Sequence, residues 1–235
     1  MLSVELHSHS EHSYDGHDSI ELLLEQAASV GLDAIAITDH DEIDGSLRAM
    51  ERAPEYGLIG IPGLEITSRA GHVLGLGIEQ RIRAGRPFEE TIERIHDLGG
   101  IAVVPHPFQA ARHGVAPNIS TDLLERTDAI EVYNSRLVTG RSNRKAKRFA
   151  CLRELPMTAG SDAHIAEMVG QAVTHVASTD PNSDSILTAI ANGNTTVVGK
   201  RTPWHISVQQ ASEAVTRRVK YAARDMLASV GGGLL

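Results

Sequence analysis

Residues 2–9 have the sequence LSVELHSH, a short apolar run that ends on two histidines one residue apart. Side chains at positions i and i+2 of a β-strand point to the same face, so His7 and His9 can bind one metal ion together. Histidine pairs of this spacing are also common on surfaces and in cores. The pair alone is therefore weak support for a metal site.

Four further clusters of potential metal ligands strengthen this interpretation, because each follows another apolar run. The clusters are Asp39-His40 after residues 34–37, Glu65 after 58–64, His106 after 101–105, and Asp162 with His164 after 157–160. Repeated placement of His, Asp and Glu at strand ends is typical of a site at the open end of a β/α barrel. Five such clusters are hard to explain by chance.

Strand-like apolar runs alternate with helical patterns over most of the chain. We predict strands at 34–38, 58–66, 72–78, 101–105, 129–134 and 156–160, and helices near 20–30, 43–56, 88–98, 121–126 and 143–154. This alternation predicts an α/β fold with a mainly parallel sheet and right-handed crossovers. About seven strand–helix units favour a closed or distorted barrel over an open sheet, although strand-end sites fit either fold.

The C-terminal part has a different pattern. We predict a helix at 185–191, a strand at 195–199 and an amphipathic helix at about 207–229 that carries several basic residues. The last helix could lie on a membrane surface or bind a partner. Packing on the barrel or on a second subunit is the favoured interpretation, which permits a homodimer.

Composition limits the classes of function. The chain has 235 residues, 41% of them hydrophobic, which suffices for one large α/β domain, and its formal charge is −8. This charge argues against nonspecific binding of long nucleic acid. A small phosphorylated substrate remains compatible, because bound divalent ions would make the pocket positive. No signal peptide or membrane span is predicted, and we expect a cytoplasmic protein.

The single cysteine, Cys151, excludes an internal disulfide and leaves metal binding to histidines and carboxylates.

Another class of β/α barrel enzyme, the amidohydrolase type, begins with an H-x-H motif as well. Many of these enzymes use a carbamylated lysine at a strand end as the ligand that bridges two metal ions. The few lysines of this chain do not end a core strand. That alternative is therefore disfavoured.

The motifs LHSHS (6–10) with Asp15-Gly16, TDHD (38–41), GLE (63–65), HP (106–107) and GSDAH (160–164) resemble those of the PHP (polymerase and histidinol phosphatase) superfamily. The resemblance spans about residues 3–200. It implies a distorted (β/α)7 barrel and metal-dependent phosphoester hydrolysis. The tail looks like the PHP-associated segment, so we place the catalytic barrel at 1–180 and the associated segment at 181–235.

The resemblance also implies a ligand set for up to three divalent ions. The first would be held by His7, His9, Glu65 and Asp162, the second by Glu65, His72 and His106, and the third by Asp15, His40 and His164. Mixed imidazole and carboxylate ligands suit Zn²⁺, Mn²⁺ or Fe²⁺ equally. Glu65 would bridge two ions that share a nucleophilic hydroxide. Asp15, His40 or a metal-bound water would protonate the leaving group.

Other polar residues are candidates for supporting roles. Asp39 is predicted to fix a histidine tautomer, and Glu131 and Asn134 match a segment that faces the site in this family. Asn134 could bind substrate, although a structural cap is an equal alternative. Arg136 and Arg141 are candidate phosphate ligands, because arginine binds phosphate through two hydrogen bonds. A solvated basic face is the alternative for the helix that follows.

The expected substrate is a nucleotide or the 5′ end of a short oligonucleotide, cut as a phosphomonoester or phosphodiester. Histidinol phosphate and phosphotyrosine are alternatives, and a noncatalytic or regulatory PHP module is an alternative of another class. Loss of ligands would mark such a module, whereas this chain has the full set. Metal content together with hydrolysis of generic phosphoesters would separate these possibilities.

Overall fold

The computed structural model describes residues 1–137 and 140–201, which form ten strands and six helices. The strands are β1 (Leu2–Glu5), β2 (Ala34–Ala36), β3 (Ile59–Ile61), β4 (Gly63–Thr67), β5 (His72–Leu76), β6 (Ile101–Val104), β7 (Ala129–Asn134), β8 (Met157–Gly160), β9 (Ala172–Val176) and β10 (Thr195–Gly199). The helices are α1 (Ile20–Ser29), α2 (Asp44–Arg52), α3 (Phe88–Asp97), α4 (Thr121–Leu124), α5 (Arg141–Leu152) and α6 (Ser183–Ala191).

The strands form two sheets, with the orders β10-β9-β1-β2-β3 and β4-β5-β6-β7-β8. Pairing is parallel within β1-β2-β3 and within β6-β7-β8. The strand β5 is antiparallel to both of its neighbours, and so is β9. The parallel parts follow from helical crossovers, which return the chain to the same end of the sheet.

The two sheets meet at two isolated bridges, Ser8 with Ala163 and His40 with Glu65. At the first, the His9 amide donates to the Ala163 carbonyl over 2.7 Å, and at the second the Asp41 amide donates to the Glu65 carbonyl over 2.9 Å. The strands thus surround a common interior as a strongly distorted barrel. The predicted α/β barrel class is confirmed, and both bridges involve predicted site residues or their neighbours.

The predicted strand 58–66 is divided in two at Pro62. Because proline has no amide hydrogen, it cannot continue a strand ladder, and β3 pairs with β2 whereas β4 pairs with β5. A Cβ at Gly63 would lie 2.5 Å from the Gly75 carbonyl oxygen, so only glycine fits there. The division moves the chain from one sheet to the other and places Glu65 at their junction.

The helices cover the barrel with apolar faces. In α1, the side chains of Ile20, Leu23, Leu24 and Ala27 are fully buried at helical spacing. The predicted helix 43–56 ends earlier, at Arg52, and continues as a 3₁₀ turn over Ala53–Tyr56. Within the described ranges, no helix combines the length and apolarity that a membrane span needs.

Helix α6 and strand β10 confirm the predicted elements near 185–199, and β10 continues the sheet that contains β1. The predicted helix at 207–229 lies outside the described residues. The boundary at residue 180 stays a prediction, as does the homodimer.

Candidate metal centre

All nine predicted metal ligands lie in one cluster at the junction of the two sheets. Glu65 lies in β4 and His72 begins β5, whereas six others follow the ends of β1, β2, β6 and β8, and Asp15 lies in the loop between β1 and α1. Eight have side chains no more than 7% exposed, and Asp15 is 21% exposed. Parallel strands that end at the same edge bring residues distant in sequence together.

Glu65 lies at the centre of the cluster. Its Oε2 is 3.1 Å from His7 Nε2 and 3.2 Å from His9 Nε2. Its Oε1 is 2.6 Å from His72 Nδ1 and 3.4 Å from His106 Nε2. Oε2 is also 3.5 Å from His40 Nδ1. The two carboxylate oxygens therefore face different groups of imidazoles, as a carboxylate shared by two ions would.

Two aspartates complete the cluster on its other side. Asp162 Oδ1 lies 3.9 Å from His7 Nε2 and 3.4 Å from His164 Nδ1. Asp15 Oδ2 lies 2.8 Å from His164 Nε2 and 3.7 Å from His40 Nε2. The predicted third group, Asp15 with His40 and His164, is thus brought together near the solvent.

The possible ligand groups overlap. Sets with ligand atoms within 4.8 Å of one another are His7/His9/Glu65, His7/His106/Asp162, His9/His40/His164 and His40/Glu65/His72. The first matches a predicted set, whereas the others combine residues of different predicted sets. The division of the nine residues among individual ions accordingly stays a prediction.

Several buried polar atoms of the cluster form no hydrogen bond of normal geometry within the described part of the chain, although some lie close to one another, as His72 Nδ1 and Glu65 Oε1 do at 2.6 Å. They are both ring nitrogens of His9, Nδ1 of His40, His72 and His106, and Oε1 of Glu65. An unsatisfied buried polar group costs roughly 1–3 kcal/mol, and proteins rarely leave several together. Lone pairs of imidazole and carboxylate that converge in this way fit divalent metal ions.

Backbone strain is concentrated at the same place. His106 and Asp162 adopt positive φ angles of 32° and 51°. Positive φ angles are unfavourable for residues other than glycine. They cluster at functional sites, where the surrounding structure maintains them. The strain at two predicted ligands supports a functional role for the cluster.

The carboxylates of the cluster remain ionised. Burial alone would raise the pKa of Glu65, but the surrounding histidines, first His72, lower it well below its usual value. Burial likewise opposes ionisation of Asp162, and Arg136 and His7 lower its pKa well below the ordinary range. The protein thus holds negative charge where cations would bind.

The histidines divide into two groups. Burial lowers the pKa of His40 to about 4, and burial together with nearby positive charge lowers the pKa of His9 and His164. Burial also opposes protonation of His7, but Glu65 and Glu131 raise its pKa well above the usual value. Neutral rings are the form that binds metal, so protons and metal ions compete most strongly at His7.

Glu131 orients two of the predicted ligands. Its Oε1 accepts a hydrogen bond from His7 Nδ1 over 2.9 Å, which leaves His7 Nε2 directed at Glu65. Its Oε2 accepts from the His106 amide at 2.8 Å and from Asn134 Nδ2 at 3.0 Å. In the sequence, Glu131 was marked only by its match to a segment that faces the site in the PHP family, and its orienting role was not predicted.

We expect Glu131→Gln to weaken metal binding roughly 10- to 100-fold, the usual effect of losing a partner that orients a ligand. Glutamine replaces one carboxylate oxygen by an NH₂ group. Because both Glu131 oxygens accept hydrogen bonds, this NH₂ group would face another donor in either orientation of the amide. Calorimetric titration of metal-stripped protein with Zn²⁺ or Mn²⁺ measures the change. The exposed Glu125→Gln is the control, and equal affinities in both variants would contradict the role of Glu131.

Asp39 has a different partner from the predicted one. Its carboxylate accepts hydrogen bonds from the amide and hydroxyl of Ser10, at 2.6 and 2.7 Å, and no histidine bond is found among the described residues. The chain turns immediately after His9, so the nearest donors belong to Ser10. Asp39 consequently holds the loop that carries Asp15 rather than a histidine tautomer.

The predicted substrate residues lie in different surroundings. The Asn134 amide donates to Glu131 and to Asp162 Oδ2, the latter over 3.3 Å. Arg136 Nη1 lies 3.3 Å from Asp162 Oδ1 and 2.7 Å from His164 Nε2. Arg141 is exposed in the first turn of α5, where its guanidinium forms no hydrogen bond or ion pair with another described residue. Substrate binding by all three stays a prediction.

Two residues at the site were missed in the sequence. Arg112, in the segment between β6 and α4, lies with Nη1 3.4 Å from Asp162 Oδ2. The ring of His113 lies 4.9 Å from that of His72. Neither follows a predicted strand directly, so no periodic or motif signal marked them.

The fold and the cluster together are those of an α/β barrel protein with a buried group of residues that could hold metal ions. Residues 5–153 match the PHP domain and residues 140–195 match the PHP-associated segment. The chain therefore belongs to the PHP-domain family, as its motifs predicted.

Known proteins support this assignment to different extents. An uncharacterised protein of Methanocaldococcus jannaschii is 32% identical over 169 residues, which cover 67% of this chain and 96% of that protein. A phosphoribosyl 1,2-cyclic phosphate 1,2-diphosphodiesterase of Eggerthella lenta is 37% identical over 99 residues, covering 39% of this chain and 37% of the enzyme.

Among solved structures, a two-domain Bacteroides vulgatus protein containing a predicted PHP-like metal-dependent phosphoesterase has the same fold. It aligns with a TM-score of 0.71 and 22% identity over 85% of this chain and 65% of that protein. This likeness confirms the architecture.

Proposed function

We propose that this chain hydrolyses phosphoester bonds with divalent metal ions, and that its substrate is a nucleotide or the 5′ end of a short oligonucleotide. The observation that carries the proposal is the arrangement around Glu65, whose two oxygens face different groups of histidines. The buried ring nitrogens without partners add to it. A phosphodiesterase relative that is 37% identical over 99 residues supports the reaction class.

The nine clustered residues would hold up to three ions, and Zn²⁺, Mn²⁺ and Fe²⁺ all suit the donors. Bound ions of this kind supply a water of lowered pKa and positive charge toward a phosphate. The protein contributes the geometry, since Glu131 orients His7 and Asn134 orients Asp162. No serine or cysteine nucleophile is required.

Arg112 and Arg136 would bind the phosphate. Both guanidinium groups lie against Asp162, with side chains 30% and 19% exposed, and can turn from this carboxylate to a substrate oxygen. Positive groups held near the phosphate offset the charge that develops in the transition state. The leaving oxygen would take its proton from Asp15, from His40 or from a water molecule at the cluster, and Asp15 is its most exposed residue.

The test uses metal-stripped protein reloaded separately with Mn²⁺, Zn²⁺ and Fe²⁺. Substrates are bis(p-nitrophenyl) phosphate, p-nitrophenyl phosphate, mononucleotides, short oligonucleotides, a ribose cyclic phosphate, histidinol phosphate and phosphotyrosine. We expect metal-dependent release of product, highest for the nucleotides. A pure protein that retains no divalent metal and hydrolyses none of these compounds would contradict the proposal.

We expect Arg136→Ala to lower kcat/KM for phosphate substrates by about 10- to 100-fold, because a charged hydrogen bond contributes roughly 1.5–3 kcal/mol. Metal content must be measured alongside, since Arg136 also contacts His164. Arg136→Lys keeps the charge and should recover part of the activity. Unchanged kcat/KM in Arg136→Ala would remove this residue from substrate binding.

A further inference from the structure

Four arginines form a basic surface beside the metal centre. This arginine patch consists of Arg69 in the turn between β4 and β5, and Arg81, Arg83 and Arg86 in the segment before α3. Arg69, Arg83 and Arg86 line an open cavity of about 350 Å³ whose one acidic residue is Glu90. Such a concentration of positive charge is notable in a chain with a formal charge of −8.

Few negative charges neutralise the arginine patch. Arg86 lies 3.8 Å from Glu90 and Arg81 lies 3.8 Å from Glu42, and all four side chains of these two pairs are at least 32% exposed. Exposed pairs at such separations are weak. Arg83 forms no hydrogen bond or ion pair with the described residues. Arg69 and Arg81 each donate a hydrogen bond from Nε to a backbone carbonyl, and their terminal Nη groups remain available to an anionic ligand, as does the guanidinium of Arg83.

Backbone contacts connect the arginine patch directly to the metal centre. Arg81 Nε donates to the carbonyl of Asp41, the residue after His40, over 2.6 Å. The Gly85 amide donates to the Thr67 carbonyl over 2.7 Å, and Thr67 is paired with His72 in the β4–β5 ladder. A chain of phosphates that leaves the metal centre past His40 and His72 would reach the arginines.

An exposed aromatic side chain lies against His40 of the metal centre. Tyr14 is 72% exposed, and it is the one exposed aromatic residue of the described ranges. Its ring is stacked on His40, with centroids 4.8 Å apart and planes inclined by 22°. Proteins that bind single-stranded nucleic acid combine arginines along the backbone with aromatic rings on which unpaired bases stack.

We propose that the arginine patch and Tyr14 bind a single-stranded oligonucleotide, with the arginines on successive phosphates and Tyr14 on an unpaired base near the metal centre. This inference rests on the proposed function and specifies its substrate as a strand of several nucleotides rather than a mononucleotide. Arginine suits this task because its planar guanidinium binds phosphate through two hydrogen bonds.

The test is binding of a fluorescein-labelled ten-nucleotide strand with phosphorothioate linkages that resist cutting, measured by anisotropy with the metal-loaded protein. We expect the affinity to fall with salt, with a slope of log K against log[salt] of about −2 to −3 for three or four phosphate contacts. Arg83→Ala/Arg86→Ala should weaken binding about 10-fold at low salt and make the slope shallower by roughly 1.4.

The control is Arg126→Ala/Arg153→Ala, which changes the net charge by the same amount. Both control arginines precede the starts of β7 and β8, at the strand ends opposite the metal centre, and are paired with glutamates. We expect wild-type binding for this variant. The inference would be overturned if the wild type and the Arg83/Arg86 variant had equal salt slopes. It would also be overturned if both double variants lost the same affinity for the strand.

Strand preference and Tyr14 supply a second comparison. We expect the single strand to bind about 10-fold more tightly than its duplex, Tyr14→Leu to reduce this affinity about 5- to 10-fold, and Tyr14→Phe to preserve it. Equal binding of strand and duplex would overturn the assignment, as would wild-type affinity in Tyr14→Leu. These measurements need no turnover, so the binding inference can fail while metal-dependent hydrolysis persists. Binding of the strand without any hydrolysis would contradict only the proposed function.

Discussion

Replacing Glu65 by glutamine is expected to lower turnover by more than about 100-fold, beyond the effect typical of residues that only orient a ligand. The carboxylate contacts imidazole nitrogens on both oxygens, so the amide would direct an NH₂ group at one pair of rings. An NH₂ group has no lone pair to offer a metal ion, and the variant also lacks one negative charge. Both changes disfavour bound cations.

Two measurements check this expectation. Metal content per chain, after stripping and controlled reloading, should be lower in Glu65→Gln than in the wild type, and hydrolysis of bis(p-nitrophenyl) phosphate should be lost with it. Glu11→Gln is a matched control, because Glu11 is an exposed carboxylate in the loop between His9 and Asp15. Wild-type metal content and activity in Glu65→Gln would refute the central place of this residue.

The strand-end ligands were predictable because their signal is local. A short apolar run followed by His, Asp or Glu identifies both the strand and the end at which the site lies, as for His7 and His106. The cluster then follows from the parallel arrangement of strands, which brings such ends together. This reasoning located seven of the nine clustered residues, whereas Asp15 and His72 were predicted only through the resemblance to the PHP family.

Features that depend on contacts between distant segments were not predictable in the same way. Pro62 interrupts an apolar run that reads as one strand, and only the pairing of each half shows that the chain changes sheets there. Arg112 reaches Asp162 from an irregular segment, whose course has no periodic signature. Asp39 lies beside Ser10 because of the turn after His9, a detail of loop geometry.

The arginine patch, too, could not be predicted from the sequence. Its arginines are visible in the sequence, but Arg69 and Arg86 come from segments on either side of β5. The hydrogen bond from the Arg69 amide to the Arg86 carbonyl, 2.8 Å long, and the cavity that both residues line show that they form one surface. The overall negative charge concealed this local concentration, because net charge reports no spatial distribution.

Removal of bound metal by a chelator is expected to lower the melting temperature by about 8–16 °C. One ion present at about 1,000 times its dissociation constant stabilises the folded state by roughly 4 kcal/mol, and a domain of this size shifts by roughly 2–4 °C per kcal/mol. The physical cause is the set of buried nitrogens and the Glu65 oxygen that lack partners without an ion. Calorimetry of the stripped and the reloaded protein measures the shift.

The controls for this shift separate the cluster from surface binding. His96→Ala removes an exposed histidine that is paired with Asp128 at 2.7 Å, and it should keep the full metal-dependent shift. Glu65→Gln should lose most of it, because its cluster no longer holds ions firmly. If chelation changed the melting temperature equally in Glu65→Gln and the wild type, the stabilising ion would have to lie elsewhere. If the metal-dependent change in melting temperature is lost in Glu65→Gln but kept in His96→Ala, then metal binding, stability and catalysis depend on one carboxylate at the junction of the two sheets.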